Sequence, residues 1–461
     1  MNSQSKKMEL LGNASIPKAL LAMGIPTMIG MLVNAFYNLV DAYFVGGLGE
    51  SQMGAISIVY PLGQVVIGLG LLFGNGAASY ISRLLGRGDK ENANKVASTA
   101  LYSSVYIGAV IIIISMVFLH PILKLLGATD SILPYAATYA GIYIVSCIFN
   151  VFNVTMNNIV TSEGAAKTTM CALLMGAVLN IALDPLFIYV FDLGVAGAAI
   201  ATAISQVVST CVYLTYILRK KSVFHFKIKD CTYTKEIMSE IFKIGIPTLV
   251  FQILTSVSIS LINNAAGSYG DSAIAGMGVV TRLISMGSLS VFGFIKGFQP
   301  IAGYSFGAKK FDRLREAIKT SILWSTVFCV VFGLVLALFP VGIVSQFTKG
   351  DTEMIRIGAA SLRANGISIM LFGFYTVYSS LLLALGKGRE GFILGACRQG
   401  ICFVPVILLL PMLWGLNGIL YAGPIADVLS AVITVFMAIP LHRKLNDMQK
   451  QATAISTDNN S

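Results

Sequence analysis

Apolar residues dominate this chain in long blocks, separated by short stretches rich in Gly, Lys and Arg. Crossing a hydrocarbon core takes about 20 residues of apolar helix. Twelve blocks meet that length, at approximately residues 17–44, 52–82, 96–119, 136–160, 169–191, 195–218, 243–266, 272–300, 320–345, 361–385, 391–413 and 417–440. Each predicts a membrane-spanning helix, numbered helix 1 to helix 12 in chain order. The first block is too long for a cleaved signal peptide, and no small-residue cleavage site follows it, so it is expected to stay in the membrane.

The blocks fall into two sets of six that repeat at a constant offset of 221 residues. Met23–Thr27 (MGIPT) meets Ile244–Thr248 (IGIPT), Leu85-Gly86 meets Phe306-Gly307, and Gly194 and Gly197 meet Gly415 and Gly418. Six spans per half leave both halves in the same orientation, so a pseudo-two-fold axis along the membrane normal is expected to relate them. The fold class predicted is all-α and polytopic, with 12 transmembrane helices in two six-helix bundles. The domains expected are an N-terminal lobe at 1–218, a basic linker at 219–243, a C-terminal lobe at 244–440 and a polar tail at 441–461.

Composition supports this reading and narrows it. Of the 461 residues, 56% are apolar and 11% charged, where a soluble domain carries roughly 25% charged residues. A soluble enzyme, a disulfide scaffold and a disordered chain are excluded. The net charge of +11 is not a nucleic-acid surface, because 25 of the 32 Lys and Arg lie at the N-terminal tail, the even-numbered loops and the C-terminal tail. The opposite loops hold only Lys124, Lys349 and Arg356. Both termini are therefore expected in the cytoplasm. Seven cysteines without a CxxC pair and three scattered histidines point to helix packing and to no metal site.

Charges inside the spans carry more information, since a carboxylate at the bilayer centre costs at least about 2.5–3.5 kcal/mol and marks function by default. Three acids qualify: Asp41, Asp184 and Asp427. Asp41 shares one face of helix 1 with Asn34, Tyr37 and Asn38. Asp184, on helix 5, follows Asn180 by one turn and precedes Pro185, which frees a backbone carbonyl and permits a kink. Helix 4 adds Asn150, Asn153 and Asn157, and helix 6 adds Thr202 and Gln206. Two buried carboxylates in one bundle disfavour full ionisation, so the pair can take up a proton and compete with a cationic solute for the same charge. Asn34, Tyr37, Asn153, Asn157, Asn180 and Thr202 are the polar network expected around it.

The C-terminal half differs. Ile262 stands at the repeat position of Asp41, and its one intramembrane acid, Asp427, has Arg282 and Arg398 as alternative ion-pair partners. A structural pair is favoured over a role in binding. The intramembrane bases Arg282, Lys296 and Arg398 all lie in this half. Soft and aromatic side chains suit flat organic cations, and Phe152, Met156, Tyr375 and Tyr378, with Asp427, are candidates for a substrate cavity. Pro26, Pro185 and Pro247 are candidates for kinks.

With these residues assembled, the chain resembles the multidrug and toxic compound extrusion (MATE) family over nearly its whole length. The resemblance is closest to the bacterial branch of MepA-type exporters, which is related to the DinF type. It rests on NLVDAYFVGGLG in helix 1, GNGAASYISRLLGRGD at helix 2, TSEGAAKTTM after helix 4 and NIALDPLFIYVFDLGVAGAAIAT across helices 5 and 6. The family exports organic cations and drugs in exchange for protons or sodium ions. The resemblance implies that Asp41 and Asp184 are the proton-coupling acids, with Tyr37, Asn157, Asn180 and Thr202 as their polar neighbours. Sodium-coupled NorM-type members carry acids on helices 7 and 10. Here Thr255 takes the helix 7 position and helix 10 has no acid, which favours protons.

The function expected is export of cationic, amphipathic compounds by proton-coupled antiport with alternating access. Sodium-coupled antiport in the same family and a flippase for lipid-linked sugars are the alternatives; the flippase calls for more cationic residues at the cavity. The protein is expected to be no enzyme, because no HExxH motif or intramembrane Ser/His pair is present. It is expected to need no cofactor beyond the coupling proton or Na⁺. The partners expected are small organic cations and membrane lipid, with no nucleic acid, for a monomer in the bacterial cytoplasmic membrane.

Overall fold

A computed structural model describes residues 3–48, 50–126, 128–347 and 351–458. Lys349 lies outside the described residues. Among them, twelve helices are long and apolar enough to cross a membrane. The N-terminal lobe contains α1 (Ile16–Gly46), α2 (Glu50–Gly86), α3 (Lys90–Val117), α4 (Leu133–Ser162), α5 (Ala166–Val190) and α6 (Gly194–Leu218). The C-terminal lobe contains α7 (Lys235–Gly267), α8 (Asp271–Gly307), α9 (Phe311–Leu338), α10 (Thr352–Ala384), α11 (Gly388–Trp414) and α12 (Leu416–Asp458). They correspond one to one with helices 1–12. Polar residues mark where several begin: the Asp89 carboxylate accepts the Asn92 amide of α3 at 3.0 Å, and Asp351 accepts that of Met354 in α10 at 3.0 Å.

Several helices outrun their apolar blocks, α9 and α10 by nine residues at their starts, and three further places add polar helix beyond the expected spans. A short helix, Ser3–Gly12, precedes α1 and buries Lys7, which pairs with Glu163 at 3.3 Å. Helix α7 starts at Lys235, inside the stretch expected as linker, because the Thr234 hydroxyl accepts the Ile237 amide there. Helix α12 continues to Asp458, through most of the expected tail. In all three places the extra turns are polar, so a hydropathy window does not register them.

The repeat has a structural cause at its glycines. Gly194 and Gly415 open α6 and follow α11 with φ of +54° and +55°, a left-handed geometry that favours glycine. Three residues on, Gly197 and Gly418 back onto a neighbouring carbonyl: a Cβ would sit 2.6 Å from the Phe187 oxygen and 2.3 Å from that of Leu410. The same symmetry governs the contact between lobes. A Cβ on Gly86 would meet the Tyr304 oxygen at 2.1 Å, and one on Gly307 would meet the Arg83 oxygen at 2.1 Å. Tyr304 is Arg83 carried forward by the 221-residue offset, so the two contacts are images under the pseudo-two-fold axis.

These contacts also show which end of the molecule is shut. Thr27 Oγ1 donates to the Gly293 carbonyl at 2.6 Å, Ser79 Oγ to that of Leu383 at 2.5 Å, and Asn75 Nδ2 to Thr248 at 2.9 Å. Gly24 lies against Phe294, Gly76 against Ile241 and Gly245 against Leu72. All these positions lie in the parts of α1, α2, α7, α8 and α10 nearer the termini and the linker. The lobes are closed together at that end.

Candidate functional site

Asp41 and Asp184 converge inside the N-terminal lobe. Helix α1 supplies Asp41 near its far end, thirteen residues beyond the inter-lobe contact at Met28, or about 20 Å along the axis at about 1.5 Å per residue. Helix α5 supplies Asp184 where its α-helical part ends. Pro185 lacks the amide that would continue the ladder, and a π-helical turn, Leu186–Val190, follows, closed by the Phe191 amide on the Leu186 carbonyl at 2.9 Å. The kink expected at Pro185 takes this form, a local rewinding often found at functional sites.

The two carboxyl groups lie side by side, close enough for one to donate to the other when protonated. Asp184 is fully buried and Asp41 half-buried. Asn180 Nδ2 donates to Asp184 Oδ1 at 3.2 Å and reaches Thr202 Oγ1 at 3.5 Å, tying α5 to α6. Tyr37, one turn before Asp41, lies within electrostatic reach of both acids. Among the described residues, Asp41 Oδ1 and Asp184 Oδ2 are buried with no N–H or O–H group to satisfy them.

Two tyrosines on α4, Tyr139 and Tyr143, complete the wall; their rings stack with centroids 5.6 Å apart, and both lie within reach of Asp41 and Tyr37. The sequence reading missed them. The signal was present, since they extend the Asn150–Asn153–Asn157 stripe along α4 at steps of one or two helical turns.

The remaining expected residues sit elsewhere. Asn153 is satisfied by α6: its Nδ2 donates to the Gln206 side chain at 2.8 Å, and Thr210 Oγ1 donates to its Oδ1 at 2.9 Å. Asn157 donates to Tyr213 at 3.2 Å and accepts a hydrogen bond from Lys296 of the other lobe. Asn34 is exposed two turns from Asp41. Pro26 and Pro247 lie inside α1 and α7 at matching positions of the repeat.

The residues expected at a substrate cavity lie in the lobe interiors in this conformation. Met156 is fully buried, Phe152 packs against the same core, and Tyr378 hydrogen-bonds His442 at 2.7 Å. Asp427 pairs with Arg398, not Arg282, at 2.7 Å, and accepts from Tyr375 at 2.9 Å and from Ser368 at 2.7 Å. With both oxygens engaged, Asp427 has the surroundings of a structural ion pair. Arg398 sits in a π-helical turn of α11, Cys397–Ile401. The N-terminal lobe thus holds an acid pair and the C-terminal lobe a neutralised one.

Two pseudo-symmetric six-helix bundles that close against each other at one end, around buried charge, have the architecture of a membrane transporter. The MatE family model matches residues 26–186 and 247–409, one copy per lobe. The chain belongs to this family, the MATE transporters. It is 33% identical over 431 residues to the multidrug export protein MepA of Staphylococcus aureus (strain MSSA476), covering 93% of this chain and 94% of that protein. The MepA of Staphylococcus saprophyticus is also 33% identical, over 442 residues. Among solved structures, an outward-facing MATE family transporter of the MOP superfamily superposes with a TM-score of 0.90 at 26% identity, covering 96% of this chain and 99% of that one. A MOP superfamily transporter from Pyrococcus furiosus gives 0.89 at the same identity.

Proposed function

We propose that this protein is a multidrug exporter of a bacterial membrane that moves organic cations outward in exchange for protons. The observation that carries the reading is the Asp41–Asp184 contact: two carboxyls share one buried site, and one is fully enclosed. Likeness to the MepA proteins supports the substrate class.

The distribution of Lys and Arg argues for cytoplasmic termini. The closed end is then the inner one, and the acid pair lies toward the outer one. A proton entering from outside neutralises the pair and weakens its hold on a bound cation, which leaves outward. The lobes then rock about their pseudo-symmetric contact and return the proton to the inside. One proton exchanged for one monovalent cation moves no net charge, so the pH difference is the driving force, about 1.4 kcal/mol or a tenfold concentration gradient per pH unit. Coupling belongs to the N-terminal lobe, because Asp427 in the other lobe is held by Arg398.

The test is ethidium transport in everted vesicles energised by either a pH gradient or a sodium gradient. Proton-driven transport lost in both Asp41→Asn and Asp184→Asn at normal expression is the expected result. Transport intact in either variant overturns the coupling site. Transport driven by sodium alone overturns the proton and leaves the exporter.

A further inference from the structure

Lys296 raises a question that drug–proton exchange leaves unanswered. It lies on α8 in the middle of the closed contact between the lobes, and its ammonium donates across that contact to Asn157 Oδ1 on α4. Asn157 is neutral. Among the described residues, no carboxylate stands within ion-pair distance of Lys296. Enclosed charge inside a membrane protein is costly and is ordinarily matched by an opposite charge. Arg398, the other base that faces inward in this lobe, has its Asp427; Lys296 has no such counterpart.

Beside the ammonium lies a small cavity between the lobes, with about 10 Å³ open to the centre of a water-sized particle. The N-terminal lobe contributes Ser82, Asn158 and Thr161; the C-terminal lobe contributes Lys296 and Gln299. Gln299, one turn after Lys296 on α8, has its Nε2 buried there without an acceptor. That is a donor with nothing to donate to, beside an ammonium with no charged partner. The hydroxyls of Ser82 and Thr161 and the amide of Asn158 already donate to carbonyls of their own helices. The ammonium and the Gln299 amide are therefore the two groups free to hold an occupant.

We propose that this cavity binds a small monovalent anion of halide size, held by Lys296 Nζ and Gln299 Nε2. An anion satisfies the free donors and neutralises the half-buried charge of Lys296; a water satisfies the donors and leaves the charge. The walls come from both lobes, so the site exists only while this end is closed. A ligand that binds one of two states shifts the balance toward it. The anion thus favours the conformation seen here, and it leaves when the lobes part.

The experiment uses the purified full-length protein exchanged into gluconate. Thermal unfolding is followed while chloride is added back, and crystals grown in bromide are measured at the bromine absorption edge. The expected result is an anomalous peak between Lys296 and Gln299. Chloride should also raise Tm, with a half-saturating concentration at least tenfold higher in Gln299→Leu and in Lys296→Gln. A cavity peak without anomalous signal, meaning water only, overturns the proposal. So does a chloride response identical in wild type and Gln299→Leu. If Lys296→Gln fails to fold, the bromide crystal and Gln299→Leu still decide the matter.

Discussion

Replacing Asp184 with Asn removes one of two carboxyls in mutual contact, and the size of the consequence follows from that geometry. At a hydrogen-bond separation of about 3 Å and an effective dielectric of about 20, two carboxylates repel by about 5 kcal/mol. Protonating one ordinary aspartate at pH 7 costs about 4 kcal/mol, given a reference pKa near 3.9. The repulsion is the larger of the two, so the proposed exchange expects one proton on the pair. The pair should hold one proton at neutral pH and give it up when a bound cation supplies the positive charge instead. In Asp184→Asn the repulsion is gone, so no proton is held and none is released. Tetraphenylphosphonium added to purified protein in weakly buffered detergent, with a pH indicator present, measures this directly. About one proton per bound cation is expected for wild type and close to none for the variant. Equal release from both proteins would refute the shared proton.

Further predictions come from the frame around the site. Gly418→Ala forces a Cβ to within 2.3 Å of the Leu410 carbonyl, and overpacking of this kind typically costs about 1–3 kcal/mol; a lower Tm in detergent checks it. Arg398→Met strands Asp427, which is almost fully buried, and should cost about 3–5 kcal/mol, while Arg398→Met with Asp427→Leu should recover much of the loss; a double-mutant cycle on unfolding separates the two. Gly307→Val sets a side chain where the Arg83 carbonyl approaches, so the shut end should no longer close. Spin labels at the ends of α2 and α8 should then report a longer distance than in wild type, and an unchanged distance would remove the close contact from the account.

Apolar blocks predicted the spanning helices well because lipid imposes one rule on all of them: about 20 apolar residues, with backbone groups satisfied internally. The first block, expected at 17–44, became Ile16–Gly46. The repeat was equally legible, since a left-handed φ at Gly194 and Gly415 and a backbone contact at Gly197 and Gly418 each demand glycine. Less legible was how each helix is rotated against its neighbours. A stripe such as Asn150–Asn153–Asn157 shows that the residues share a face, but not that Asn153 turns to Gln206 while Asn157 turns to Lys296. For the same reason, Asp427 had two eligible arginines until tertiary packing chose Arg398. Tyr139 and Tyr143 escaped notice because aromatic residues are ordinary in a membrane helix, and only their position beside Asp41 distinguishes them.

The central claim is that drug and proton exchange through one acid pair, and exchange must run in both directions. Proteoliposomes with a pH-sensitive dye in the lumen and no initial pH difference are given an ethidium gradient. The account predicts that ethidium moving down its gradient drives protons the opposite way, changing lumenal pH in wild type and leaving it constant in Asp41→Asn. Ethidium movement by the wild-type protein with no change in lumenal pH would contradict it.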